Sequence, residues 1–186
     1  MSSVAFANCF DFKAKIIKPL HGESALKAND DVKDFGKADK NLTWALTRGE
    51  VKKPIQSVLS LLLNHNTTKS PRFHDLDVVT LQDSNYLSRH YVKFKIKPFL
   101  FITVEWEEEW GYALADGTPS EPKEIVISYE KVEGTSHIEH LCGSMVLRKL
   151  TASSTDVFMY EEAKATQRTA TDTMNGVYGT LETLRK

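Results

Sequence analysis

The last third of the chain, His140 to Lys186, most narrows what the chain can fold into. Gly143 to Leu150 and Thr155 to Tyr160 read as two strands joined by the short polar loop Thr151–Thr155, and the run from Thr171 to Leu184 reads as a helix. Within that helix Met174, Val177, Tyr178, Leu181 and Leu184 recur at the three- and four-residue spacing that gathers apolar side chains on one face. Such a face has to be buried, and the strand pair just before it is the nearest surface. The expectation is a curved antiparallel sheet wrapped against one C-terminal helix.

Upstream, Phe10 to Ile17 alternates apolar and charged residues, the period of a half-buried strand. His21 to Asn41 is polar and rich in Asp and Lys; Ala25, Leu26, Val32 and Phe35 are too sparse to promise more than a loop or a short helix on the surface. Leu42 to Val51 reads as a strand leading to Pro54, which suits a first helical turn. Ile55, Val58, Leu59, Leu61, Leu62 and Leu63 give the helix that follows a broad apolar face. Ser70 and Pro71 can open a second short helix reaching Leu76. Strand signals then dominate, at Val78–Leu81, Arg89–Lys97, Phe99–Tyr112 and Glu124–Val132, with turn chemistry at Ala115–Pro122 and Glu133–Gly134. Along Arg89–Lys97, His90, Val92, Phe94 and Ile96 share the face that meets the core, while Arg89, Tyr91, Lys93, Lys95 and Lys97 share the face that meets water. The fold class expected is α+β: about six to seven antiparallel strands gripping a long C-terminal helix, with two short helices after the first sheet strand. Residues 1–41 read as an N-terminal extension made of a signal remnant, an edge strand and a polar segment, and residues 42–186 as the domain.

Twenty-four basic and 25 acidic side chains give a formal net charge of -1, so no overall field draws the chain to nucleic acid. No apolar run reaches about 18 residues, so no transmembrane helix is expected. The two cysteines, Cys9 and Cys142, form no Cys-x-x-Cys pair, which argues against a thiolate zinc site or a dithiol redox motif; they can pair only in an oxidising compartment. Val4-Ala-Phe-Ala7 is similar to the end of a signal peptide at an Ala-x-Ala site, which points to export, while the basic and most of the apolar parts of such a peptide are missing. A cytoplasmic protein stays the alternative. No Walker loop, dinucleotide fingerprint or Gly-x-Ser-x-Gly elbow is present, and no cofactor is expected.

Three stretches resemble the START-like superfamily, the helix-grip fold of lipid-transfer START domains, plant Bet v 1 allergens and the polyketide cyclase/dehydrase group. Glu50 to Leu63 looks like its first strand running into a helix. Gly143–Leu150 with Ser154–Tyr160 is similar to its late hairpin, and the Met174–Leu184 stripe to its closing helix. The resemblance covers Leu42 to Lys186; the Gly-rich loop of the plant allergens is absent, and the first forty residues have no counterpart in a minimal member. It implies a hollow between sheet and helix that holds a hydrophobic small molecule or lipid without catalysis. The alternatives are a cyclase/dehydrase-type enzyme using an acid or base in that hollow, or an interaction module whose hollow is filled.

Candidate ligand contacts are Trp106, Glu108, Trp110, His90 and Tyr129 from the sheet, and Met174, Val177, Tyr178 and Leu181 from the helix. Glu108 is the oddest of them, because the strand parity that groups Leu100, Ile102, Val104, Trp106, Trp110 and Tyr112 puts a carboxylate between two tryptophans. Apolar surroundings raise a carboxyl pKa and suit it to acid work or to holding a ligand's polar end. The competing reading sets Glu107-Glu108-Glu109 at a bulge, with Glu108 in solvent. His90 reads either as a core histidine with its hydrogen bonds met or as an acid/base group. In His137-Ile-Glu-His140 the histidines fall on opposite strand faces, so only His137 and Glu139 can share a ligand, and no metal is expected.

Overall fold

A computed structural model describes residues 10–11, 16–17, 31–39, 41–68, 73–99, 102–166 and 168–186. Two short strands, β1 (Phe10–Asp11) and β2 (Ile16–Ile17), pair with each other. Then follow β3 (Val32–Asp39), β4 (Leu42–Val51), α1 (Ile55–Leu63), α2 (His65–Thr68), β5 (Phe73–Leu81), β6 (Ser88–Phe99), β7 (Ile102–Gly117), β8 (Pro122–Gly134), β9 (Ile138–Lys149), β10 (Thr155–Ala165) and α3 (Ala170–Arg185). The main sheet has eight strands in the order β3-β4-β10-β9-β8-β7-β6-β5, and its paired neighbours run antiparallel.

Strand parity sorts the side chains of this sheet onto two faces, and both are buried near its centre. On the inner face Ala45, Val157, Met159, Met145, Leu147, Ile125, Ile127 and Trp110 join one core with Ile55, Val58 and Leu62 of α1 and Met174, Val177, Leu181 and Leu184 of α3. On the outer face Leu46, Cys142, Phe158 and Tyr160 form a second, smaller cluster, and β2 lies against β9. The helical stripe read from the sequence is the buried one, and α3 lays it chiefly across β4, β3 and β10.

Both ends of α3 are tied down. Thr169 and Asp172 form a reciprocal capping box at its start. At its end Lys53 Nζ donates to Leu184 O at 2.8 Å, and Arg185 reaches Glu50 O at 3.1 Å and Asp31 at 2.6 Å. Gly134 lets β8 and β7 close together, because its φ is +122° and a Cβ there would stand 2.4 Å from Trp106 Cα.

Three local expectations need correction. Val32–Asp39 is an edge strand, where the sequence reads as a loop or short helix; pairing with β4 from Val32↔Arg48 to Asp39↔Leu42 supplies the order its sparse apolar residues do not. The second helix is His65–Thr68, not the Ser70–Leu76 stretch, whose described part is already strand because β5 pairs with β6 from Phe73. The alternating run Phe10–Ile17 is two short paired pieces, not one strand; the residues between them lie outside the described ones, as do Val4–Ala7 and Cys9. No helix among the described residues is long and apolar enough to cross a membrane.

Candidate functional site

The site is built on the inner face of β6, β7 and β8. β7 runs in unbroken register with β6 through His90↔Trp110, Val92↔Glu108 and Phe94↔Trp106. The bulge falls on β8 instead, where exposed Val132 is left out between Glu107↔Glu133 and Glu108↔Lys131. Glu108 therefore keeps the parity of its tryptophan neighbours and is only 4% exposed; the solvent-facing reading does not hold.

Its two carboxyl oxygens are held by those neighbours. Trp106 Nε1 donates to Oε1 at 2.6 Å and Trp110 Nε1 donates to Oε2 at 2.9 Å. Burial pushes the Glu108 carboxyl up to about 7; the Trp106 bond opposes the rise, Glu161 adds to it, and Trp110 and Arg168 oppose it. Each indole is fixed in turn by a ring beside it, Trp106 by Phe94 at 5.1 Å and Trp110 by Tyr129 at 4.1 Å between centroids, both stacked.

From Tyr129 a polar path crosses the sheet toward α3. Tyr129 lies opposite Gly143 on β9, and Gly143 lies opposite Glu161 on β10. With no side chain on Gly143 the ring passes over it, and the Tyr129 hydroxyl donates to Glu161 Oε2 at 2.7 Å; a Cβ on Gly143 would stand 2.2 Å from that ring. Burial first, then the Glu161 carboxylate, holds the Tyr129 hydroxyl far above its ordinary pKa, so it remains a donor. Glu161 pairs with Arg168, whose Nε donates to Thr173 Oγ1 at 3.0 Å, and Thr173 meets Thr43 Oγ1 at 2.8 Å. The path thus joins the aromatic box around Glu108 to the first turn of α3.

A second group flanks the box. His90 Nδ1 meets His65 Nε2 at 3.1 Å and His90 Nε2 meets Ser88 Oγ at 2.8 Å. Tyr112 donates to Leu62 O at 3.2 Å and lies 3.4 Å from His65 Nε2. Burial, then the neighbouring His90, lowers the His65 pKa to about 4, and burial lowers that of His90. Two neutral rings sharing one proton between them fit this contact, and His90 is a core histidine with its hydrogen bonds met.

Of the candidate residues, Trp106, Glu108, Trp110, His90 and Tyr129 come together on β6–β8, and Met174, Val177 and Leu181 enter the same core from α3. Tyr178 is half-buried and packs against the margin of the same core, with Lys33 Nζ 3.0 Å from its ring centroid. An open depression of about 420 Å³ is bounded by Asp116, Lys123, Glu124, Arg148, Lys149 and Leu150. The charged face of β6 is matched by β7, with Arg89 paired to Glu109, Lys93 to Glu107 and Lys95 to Glu105. His137 and Glu139 are exposed, and Glu139 pairs with Lys164 at 2.5 Å.

Glu161, Arg168 and His65 escape a reading of the sequence. Glu161 and Arg168 flank a strand end and a helix cap, and only the β8–β9–β10 register shows that they meet Tyr129. His65 follows a helix whose end the apolar run places, but its contact with His90 is made across the fold.

No protein-family model and no curated protein matches the sequence. Solved structures do match in shape. A STAR-related lipid transfer protein fragment from Xanthomonas axonopodis superposes with a TM-score of 0.56 at 17% identity, over 82% of this chain and 96% of that one. The lipid transfer and protein localization domain of human StarD13 gives 0.56 at 12% identity, over 88% of each chain. The chain has the START-like helix-grip fold. The same fold is matched in the di-domain aromatase/cyclase StfQ of the steffimycin biosynthetic pathway, with a TM-score of 0.53 at 13% identity, over 75% of this chain and 43% of that one. In helix-grip terms the inner face and α3 are the two sides of the grip, and the Glu108 box lies on the sheet side.

Proposed function

We propose that this helix-grip protein binds a small amphipathic molecule, with its apolar chain between α3 and the inner face of the sheet and its hydroxyl or amino end against Glu108. The observation that carries this reading is the Glu108 carboxyl itself, buried between two indole donors on the face turned to α3. A buried ionisable group with no counter-charge in contact lowers stability relative to a packed apolar side chain. Groups so placed cluster at functional sites. The lipid-transfer proteins that share the fold support the ligand class. The Glu161–Arg168 pair, just ahead of α3, is the contact that an outward shift of this helix would loosen.

Native mass spectrometry of the protein as purified, and after incubation with a long-chain alcohol or amine, tests the reading. One molecule bound per chain, with occupancy reduced in Glu108→Gln, is the expected result. A wild-type chain that carries nothing and takes up neither probe contradicts it and leaves an interaction module with a filled interior.

The pKa near 7 of Glu108 favours a second reading, acid–base catalysis of the cyclase/dehydrase kind, since a group poised there both gives and takes a proton at neutral pH. It predicts that the bound molecule is chemically altered by the wild type and recovered unchanged from Glu108→Gln.

A further inference from the structure

The outer face carries a second group of chemistry-bearing residues that the inner site does not use. His140 and Cys142 are two apart on β9 and so share a face, and Glu162 of β10 is directly opposite Cys142. His140 Nε2 is 2.9 Å from Glu162 Oε1 and 3.3 Å from Cys142 Sγ, and Sγ is 3.6 Å from Oε1. Glu162 and Cys142 are buried, and Tyr160 donates to the other Glu162 oxygen at 3.0 Å, fixing the carboxylate's orientation. Glu130, opposite Cys142 on β8, adds a further carboxyl beside the group.

A tetrahedral zinc ion with bonds of about 2.0–2.3 Å sets its ligand atoms roughly 3.3–3.6 Å apart. The three separations here fall within about 0.4 Å of that triangle. Thiolate, imidazole and carboxylate together are the donor set of borderline-soft divalent ions. Cys142 is nevertheless half of a disulfide, so its sulfur serves one partner or the other.

We propose that His140, Cys142 and Glu162 form a redox-gated site for a divalent ion of the zinc class, closed while the disulfide stands and opened by its reduction. A dithiol reductant supplies two electrons and two protons to the disulfide and is itself oxidised to a disulfide. The Cys142 thiol then gives its proton to solvent as the sulfur takes the metal, with neutral His140 Nε2 and Glu162 Oε1 as the other ligands. Three protein ligands leave a fourth position for water or a substrate donor, the pattern of a zinc site with an open coordination position. Tyr160 is the positioning residue that holds Glu162.

Cobalt(II), which reports a thiolate ligand by a near-ultraviolet charge-transfer band, is the probe. Cys9→Ser, which removes the chain's other cysteine, and the dithiol-reduced wild type should each bind one equivalent of cobalt(II) with that band, displaced by zinc. The oxidised wild type should show no band. Cys142→Ser should lose the band, and Tyr160→Phe should weaken cobalt binding about 10–100-fold. The proposal is overturned if neither the reduced wild type nor Cys9→Ser gives the band, or if Cys142→Ser or the oxidised protein binds cobalt as tightly as they do.

Discussion

Glu108 on the inner face of the sheet and Glu162 on the outer face are withdrawn from water to the same degree, at 4% and 2% exposure, yet their partners differ in kind. Glu162 has a group that can carry positive charge, His140, at 2.9 Å, and a tyrosine hydroxyl on its other oxygen. Glu108 has two neutral indoles and, among the described residues, no cation within ion-pair distance. A buried carboxylate bonded to a basic side chain and a hydroxyl is built into its surroundings, whereas one held by indole donors alone keeps a protonation state that responds to whatever arrives beside it. The contrast is between a carboxyl on the inner face held only by neutral donors and one on the outer face already joined to an imidazole and a phenol.

The largest effect expected from the contrast is on stability. Glu162→Ala removes the carboxylate bonded to both His140 and the Tyr160 hydroxyl and should cost about 3 kcal/mol or more in urea unfolding. Glu108→Gln at pH 8 removes a buried charge while keeping one indole bond, and should gain about 1–2 kcal/mol. Equal losses in the two variants break the comparison.

The next effect, about 3 kcal/mol across the acid range, is in the pH profile. Glu108 is raised from 4.5 to about 7 in the folded chain, so its contribution is fully present below pH 4.5 and is lost as pH rises to 7. His65 is lowered from 6.5 to about 4, so its contribution is present above pH 6.5 and is lost as pH falls to 4. The two oppose each other between pH 4.5 and 6.5 and nearly cancel. Glu108→Gln should expose the His65 loss as a falling stability below pH 6.5. A profile as flat as the wild type's removes Glu108 from the account.

Smaller effects sharpen the route between the box and α3. Gly143→Ala pushes a methyl into the Tyr129 ring and should cost about 1–3 kcal/mol while detaching Tyr129 from Glu161. Hydrogen exchange in the first turn of α3 should rise with it. Gly179→Ala, on the open side of α3 with nothing within 4 Å, should gain about 0.5–1 kcal/mol in thermal unfolding. A loss there means that α3 depends on a contact absent from the described residues.

The sequence makes the helical stripe, the late hairpin and the parity of Trp106, Glu108 and Trp110 legible, because each rests on periodicity within one element. The outer group was half-legible. His140 and Cys142 share a face by the same parity that excludes a His137–His140 pair, but Glu162 joins them only through the β9–β10 register, which no local pattern encodes. The edge strand Val32–Asp39 was hidden for a related reason: its order comes from β4 beside it, and Gly36 and its charges carry no strand signal of their own. The Tyr129–Glu161 contact depends on the absence of a side chain at Gly143, which reads in sequence as a plain strand glycine.

The three tryptophans divide between the two faces, Trp106 and Trp110 with Glu108 and Trp44 beside the outer cluster, so their indole N–H resonances report each face separately. Adding a long-chain alcohol or amine to the protein should shift the Trp106 and Trp110 signals, with a midpoint at about one ligand per chain, and leave Trp44 in place. A shift confined to Trp44, or three unmoved resonances at saturating ligand, contradicts the claim that the inner face is the binding site.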